Sequence, residues 1–246
     1  MMRLDKFLTE CGVGTRSEVK KYIKAKQIKI NGTLAEKPEQ KIDETSDVIE
    51  WKDKVLKYQK FHYYLFHKPA GCVTARTDNV HKTVMSYFPE EIKKDLSPVG
   101  RLDLDTEGLL LFTDDGALNH HLMSPAHHME KTYFAVLDKQ VPPEAIELFQ
   151  KGIDIGDEKP TLPAKLTILE PVLCTNTNGD QGEVFSAELT IQEGRFHQVK
   201  RMFQAVGCQV TYLKRLSIGS LTLGDLAPGE FRELTEEEVL MLSKNE

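Results

Sequence analysis

The stretch Gly100–Gly116, GRLDLDTEGLLLFTDDG, constrains this chain more than any other. Its first part reads as a tight loop that carries Arg101 and Asp103. Leu109 to Phe112 follow as an uninterrupted apolar run, and Thr113 to Gly116 as a polar turn. Four apolar residues bounded by Gly and by Asp-Gly have the form of a short buried strand. The stretch therefore hangs an acidic side chain on a loop anchored by a central strand. Loops held by rigid elements are where reacting groups tend to sit. Taken alone, an Asp in such a loop serves equally well as a turn or helix cap, so the rest of the chain has to decide.

Two later blocks bear on that decision. In SPAHHMEKTYFAVLD the run Glu130 to Leu137 reads as a strand carrying Tyr133. In EGRFHQVKRMFQAVG a helix is expected from Phe196 to the stop at Gly207, with Val199, Met202, Phe203 and Val206 on one face. His197, Lys200, Arg201 and Gln204 then share the other face at spacings of three and four. By itself such a face is an ordinary solvated basic surface.

These blocks resemble the RsuA-type ribosomal RNA pseudouridine synthases. G-R-L-D-x-x-T-x-G-L-L-L-x-T-x-D-G is that family's signature, and Asp103 falls on its catalytic aspartate. The resemblance implies that Tyr133, in the K-x-Y element Lys131-Thr132-Tyr133, places its ring beside the target uracil. It implies that Lys200, the basic residue after H-Q-V, pairs with Asp103. Many relatives carry arginine there, and lysine keeps the charge but lacks the bidentate fork. Arg101 is implied to fill the place vacated by a flipped nucleotide, and Arg195, His197 and Arg201 to contact RNA. The turn Lys68-Pro69-Ala70-Gly71 matches a K-P-x-G element under the active-site floor. The fold implied is α+β, with a mixed, mainly antiparallel β-sheet in the catalytic domain. Within the family, SPxHHxEKTY and EGRFHQVKRMFxAVG look most like the enzyme that modifies one uridine of 16S ribosomal RNA. Sister groups acting on 23S RNA share the same catalytic blocks.

The remaining chain fits a small head before the catalytic domain. Leu4, Phe7 and Leu8 mark a first helix over 2–12, and Thr15 and Glu18 form a capping box for a second over 16–26. Asn31-Gly32 signals a hairpin, and a third strand is expected near Asp47–Trp51. This unit resembles the S4-like RNA-binding module, which assigns phosphate contacts to Arg3, Arg16, Lys20 and Lys21. The expected domains are residues 1–58, including a lysine-rich linker over Lys52–Lys60, and residues 59–246. The net charge is −6, yet residues 1–32 hold eight Lys and Arg against three acids, leaving −11 on the rest. A basic head on an acidic body suits contact with phosphates.

Other function classes have weaker support. Cys11, Cys72, Cys174 and Cys208 form no C-x-x-C pair, which argues for a reducing cytoplasm and against a zinc or disulfide framework. His120-His121 and His127-His128 lack a carboxylate at ligand spacing, so no metal is expected, and no cofactor motif is present. No apolar run reaches membrane-spanning length. An Asp-dependent glycosidase would need a second carboxylate, for which Asp105 is a candidate by proximity alone. A non-catalytic assembly factor is a further alternative. The expected partner is ribosomal RNA in a partly assembled small-subunit particle, bound by a monomer.

Overall fold

The computed structural model describes residues 1–124, 129–175 and 181–243. His127, His128 and most of the polar loop after Cys174 lie outside the described residues. Backbone packing divides the chain into two units, Met1–Lys60 and Phe61–Glu246.

In the first unit, β1 (Met2–Arg3) leads into α1 (Leu4–Glu10), and α2 (Arg16–Lys24) follows. The first two residues of the expected helix are thus extended. The Thr15–Glu18 capping box forms in both directions. Four short strands come next: β2 (Ile28–Ile30), β3 (Thr33–Leu34), β4 (Lys41–Ile42) and β5 (Ile49–Trp51). Asn31 (φ 50°) and Gly32 (φ 78°) turn the chain between β2 and β3 with both residues left-handed, as a two-residue hairpin requires. The periodic apolar residues Leu4, Phe7, Leu8, Val19 and Ile23 close on Ile28, Ile42 and Ile49. The expected linker is a correction. Lys54–Val55 form β6 against β5, and Leu56 and Tyr58 pack on the head's core. Tyr58 also donates to Glu10 at 3.0 Å. The interleaved apolar residues hold this segment down despite its lysines.

The second unit is built on one sheet. Its elements are β7 (Tyr63–Lys68), α3 (Glu90–Lys93), β8 (Ser97–Val99), β9 (Glu107–Thr113) and α4 (Gly116–Met123). Then come β10 (Lys131–Leu137), α5 (Ala145–Lys151), β11 (Lys165–Ile168), β12 (Val172–Thr175) and β13 (Gln181–Ile191). The chain closes with α6 (Gln198–Ala205), β14 (Val210–Ile218), β15 (Leu221–Thr222), β16 (Phe231–Glu233) and α7 (Glu236–Ser243). The strand order is β11-β13-β10-β14-β9-β7-β16, with β8, β12 and β15 as side branches. Every pairing is antiparallel except β14–β9, so the sheet is mixed and mainly antiparallel.

β9 shows why the apolar run is continuous. Leu110 and Phe112 pack into one core with Phe66, Phe88 and Phe203, while Leu109 and Leu111 pack into another with Leu65 and Ile218. A strand buried on both faces cannot alternate polar and apolar residues. Each such side chain contributes roughly 2 kcal/mol of burial, which fixes β9 and the loop before it. The parallel seam between β9 and β14 is short, matching only Glu107 with Lys214 and Gly108 with Arg215. Near it the Asp103 loop, β10, the start of α6 and β14 line one pocket.

Candidate active site

The loop from Arg101 to Thr106 is held from beneath by β7 and the turn after it. Lys68 is fully buried, and its ammonium donates to the carbonyls of Asp103 (2.9 Å), Thr106 (2.8 Å), Pro69 (3.1 Å) and Leu104 (3.4 Å). Burial lowers the Lys68 pKa, partly offset by the nearby charges of Cys72, Asp105 and Asp103. The Gly71 amide donates to Leu104, and Thr74 Oγ1 both donates to the Leu102 carbonyl at 2.8 Å and accepts from its amide. The K-P-x-G turn is thus a set of fixed donors that clamps the loop backbone and leaves the Asp103 side chain free to face the pocket.

That carboxylate is 31% exposed. Its Oδ1 lies 3.4 Å from His197 Nε2, and its Oδ2 lies 3.9 Å from Lys200 Nζ. His197 stands before α6 in a left-handed conformation (φ 49°), which turns its ring toward Asp103 and off the helical face expected for it. Lys200 differs from the expectation. Its direct partner is Asp105, at 2.6 and 2.7 Å to the two oxygens. Burial pushes the Asp105 pKa up, but the hydrogen bond and charge of Lys200 outweigh it and hold the group below its usual value. A flexible ammonium takes the nearer carboxylate and reaches Asp103 only at ion-pair range. Asp105 is thereby engaged as a partner of the cation.

The pocket behind Asp103 has a volume of about 540 Å³. Leu102, Leu111, Met129, Ile191, Val199 and Ile218 form much of its wall. Tyr133, on β10, lines it with 7% of its surface exposed. Asp103 is the sole acid among the lining residues, whereas Arg101, Lys131, His197, Lys200 and Arg215 also line it. Three sequence-distant groups therefore meet here: Asp103, Tyr133 and Lys200. Arg101 is exposed at the rim.

Three arginines expected to contact RNA bond within the chain itself. Arg195 donates to the Lys159 and Pro160 carbonyls at 2.6 and 2.8 Å and to Glu193 at 3.0 Å. Arg201 donates to the Ile155 carbonyl and to Asp157, both at 2.5 Å. Their guanidiniums pin the 155–160 segment to α6, so they serve the fold and have few donors left for phosphate. Arg3, likewise, forms a bidentate pair with Asp5 at 3.0 and 2.8 Å. Arg16, Lys20 and Lys21 stand exposed on α2. Asp114 accepts from His62, and Asp115 accepts from Tyr63 and caps α4, which makes them structural, as the turn reading holds.

Sequence reasoning passed over four residues that matter here. Lys68 was visible only as part of a turn, and Arg215 as one residue of a strand. Lys131 was noted only within its motif. Phe196, read as a helix start, precedes α6 and is 76% exposed, with its ring stacked on His197 at 3.8 Å and 16°. Among the described residues there is no cluster of His, Cys, Asp and Glu able to hold a metal, and no helix long and apolar enough to cross a membrane.

The fold agrees with comparisons to known proteins. A family model described as "RNA pseudouridylate synthase" matches residues 62–205, and one described as "S4 domain" matches residues 2–49. The chain is 42% identical to "Uncharacterized RNA pseudouridine synthase YtzG" of Bacillus subtilis over 99% of both chains. It is 39% identical to "Ribosomal small subunit pseudouridine synthase A" of Escherichia coli, covering 97% of this chain and 98% of that one. A solved structure, "Crystal structure of pseudouridylate synthase", is similar with a TM-score of 0.66 at 38% identity, covering 98% of this chain and 100% of the other. The protein is a pseudouridine synthase, an isomerase of RNA, with an S4 head that binds RNA. Within that class it belongs to the RsuA-like family.

Proposed function

We propose that this enzyme converts one uridine of 16S ribosomal RNA to pseudouridine, with Asp103 as the reacting carboxylate. The observation that carries the reading is the convergence of Asp103, Tyr133 and Lys200 on one pocket large enough for a uracil ring. The match to small-subunit enzymes over nearly the whole chain supports the choice of RNA.

The chemistry asks for little more than these groups. The bond between ribose C1′ and uracil N1 breaks, the base turns, and C1′ joins C5. The proton on C5 leaves and N1 takes one up, so no redox partner or energy source is consumed. An ionised Asp103 can attack the sugar, attack the base, or remove a ribose proton. His197 Nε2 and Lys200 Nζ stand 3.4 and 3.9 Å from the two Asp103 oxygens and orient the carboxylate in the pocket. Tyr133 stacks on the base. The target must leave its stack to arrive there, and Arg101 at the rim occupies the gap it leaves. Phe196, exposed beside His197, offers its face to a neighbouring base, since unstacked RNA bases are recognised on aromatic rings. Arg16, Lys20 and Lys21 of the head take phosphates. The substrate is a partly assembled small-subunit particle, which presents the splayed uridine in a fixed shape.

Mapping pseudouridine across both ribosomal RNAs, in cells with and without the gene, tests this reading. Loss of a single 16S site is expected. Loss of a 23S site with all 16S sites intact would move the enzyme to the sister group, and no change in either would revive the assembly-factor alternative.

A further inference from the structure

Two cations on the pocket wall have no part in the scheme above. Arg215 is 3% exposed. Its Nε donates to the Leu109 carbonyl at 2.7 Å and its Nη1 to Tyr133 Oη at 3.4 Å. Its Nη2 is buried with no partner among the described residues. Lys131 lies two residues before Tyr133 on β10, hence on the same face of the strand. Its ammonium donates to the Met129 carbonyl at 2.8 Å, which leaves further donors for the pocket. Burying an N–H without an acceptor is costly, because the water it gave up is not replaced. Such a group persists where a ligand supplies the acceptor.

The reaction generates that acceptor. If the C1′–N1 bond breaks first, its electron pair leaves with N1 and spreads onto the two uracil carbonyl oxygens. If a carboxylate adds to C6 first, the pair moves through C5 onto the oxygen at C4. Either way the base becomes an anion between apolar walls, and a fixed cation there acts on charge that grows toward the transition state. We propose that Arg215 Nη2 and Lys131 Nζ form a cationic hole for the carbonyl oxygens of the uracil anion, and that both are catalytic residues. When C5 has joined C1′ the base is neutral again; its C5 proton then leaves as N1 takes one up, and the hole releases the product. The inference rests on the family's reaction and on the pocket holding the uracil.

The test compares single-turnover rates on one RNA carrying either uridine or 5-fluorouridine at the target. Consumption of that nucleoside is followed for wild type, Lys131→Met, Lys131→Arg and Arg215→Lys. Fluorine withdraws electrons and stabilises the base anion by itself, so a missing cation matters less on the fluorinated RNA. Lys131→Met is expected to slow the uridine reaction by about 10²-fold, with RNA affinity unchanged. That defect should shrink several-fold on 5-fluorouridine, and Lys131→Arg should restore most of the rate. A merely structural lysine would slow both RNAs equally. Burial, together with the charge of Arg215 from β14, brings Lys131 down to about 8; Asp103, His197 and Lys200 face the same pocket. The wild-type rate should accordingly fall above about pH 8, and this limb should move upward in Lys131→Arg. Equal defects on the two RNAs, or no defect in Lys131→Met, would overturn the cationic hole. A wild type inert on both would overturn the reaction assigned to the pocket.

Discussion

Gly108→Ala is expected to damage the enzyme from outside its reactive groups. Gly108 has φ +110° and faces Arg215 across the parallel seam. A Cβ there would stand 2.2 Å from the Arg215 carbonyl oxygen and 2.5 Å from its nitrogen. Both are backbone atoms, so no side chain can swing aside; β14 must move by about 1 Å. Strain at this φ and the loss of one or two ladder hydrogen bonds together amount to about 4 kcal/mol. For a unit of this size that lowers the melting temperature by about 8–16 °C. Moving the Arg215 backbone also shifts its side chain in the pocket, so single-turnover activity should fall in whatever fraction stays folded. Calorimetry on the full chain gives the midpoint, while Trp51, the chain's sole tryptophan, reports the head separately. A midpoint within 2 °C of wild type with full activity would refute the reasoning.

Three other outcomes are expected. Lys68→Met removes the shared donor to the carbonyls beneath the Asp103 loop, so kcat should fall at least about tenfold, a loss near 1.4 kcal/mol, with RNA affinity retained; an unaltered kcat would show the clamp to be dispensable. Reversing Lys20 and Lys21 to Glu should weaken RNA binding and reduce the slope of log affinity against log salt by about 1.5; titrations at several salt concentrations read this, and an unchanged slope would make the basic head a solvated surface. Phe196→Ala should raise KM by about tenfold or more through a lost base stack, with Phe196→Trp close to wild type; equal KM values in all three would leave the exposed ring without a role.

How far these features were legible depended on how local their causes are. The Thr15–Glu18 box and the Asn31-Gly32 turn are set within four residues, and both form where the pattern places them. β9 was legible because burial on both faces leaves a continuous apolar run. The partner of a charge is different. Lys200 is separated by 95 residues from the carboxylate it bonds, and its spacing within α6 could not tell Asp103 from Asp105. Arg195 and Arg201 looked like free cations because Asp157 and the 155–160 carbonyls reach them only through the folded chain. Lys68 belongs with these, since a buried lysine is recognisable only once the carbonyls around it are assembled. The groups that converge on the pocket were therefore readable through their motifs, whereas the groups that hold them in place were not.

The central claim is that Asp103, and not its neighbour, carries the reaction. The most direct measurement is pseudouridine formed by Asp103→Asn and by Asp105→Asn on the same ribosomal RNA substrate, mapped by carbodiimide primer extension. Asp103→Asn should yield no product while keeping the fold and most of its RNA affinity. Asp105→Asn, which loses only the partner of Lys200, should remain active with a reduced rate. Wild-type-like modification by Asp103→Asn, or loss of product in Asp105→Asn alone, would contradict the account.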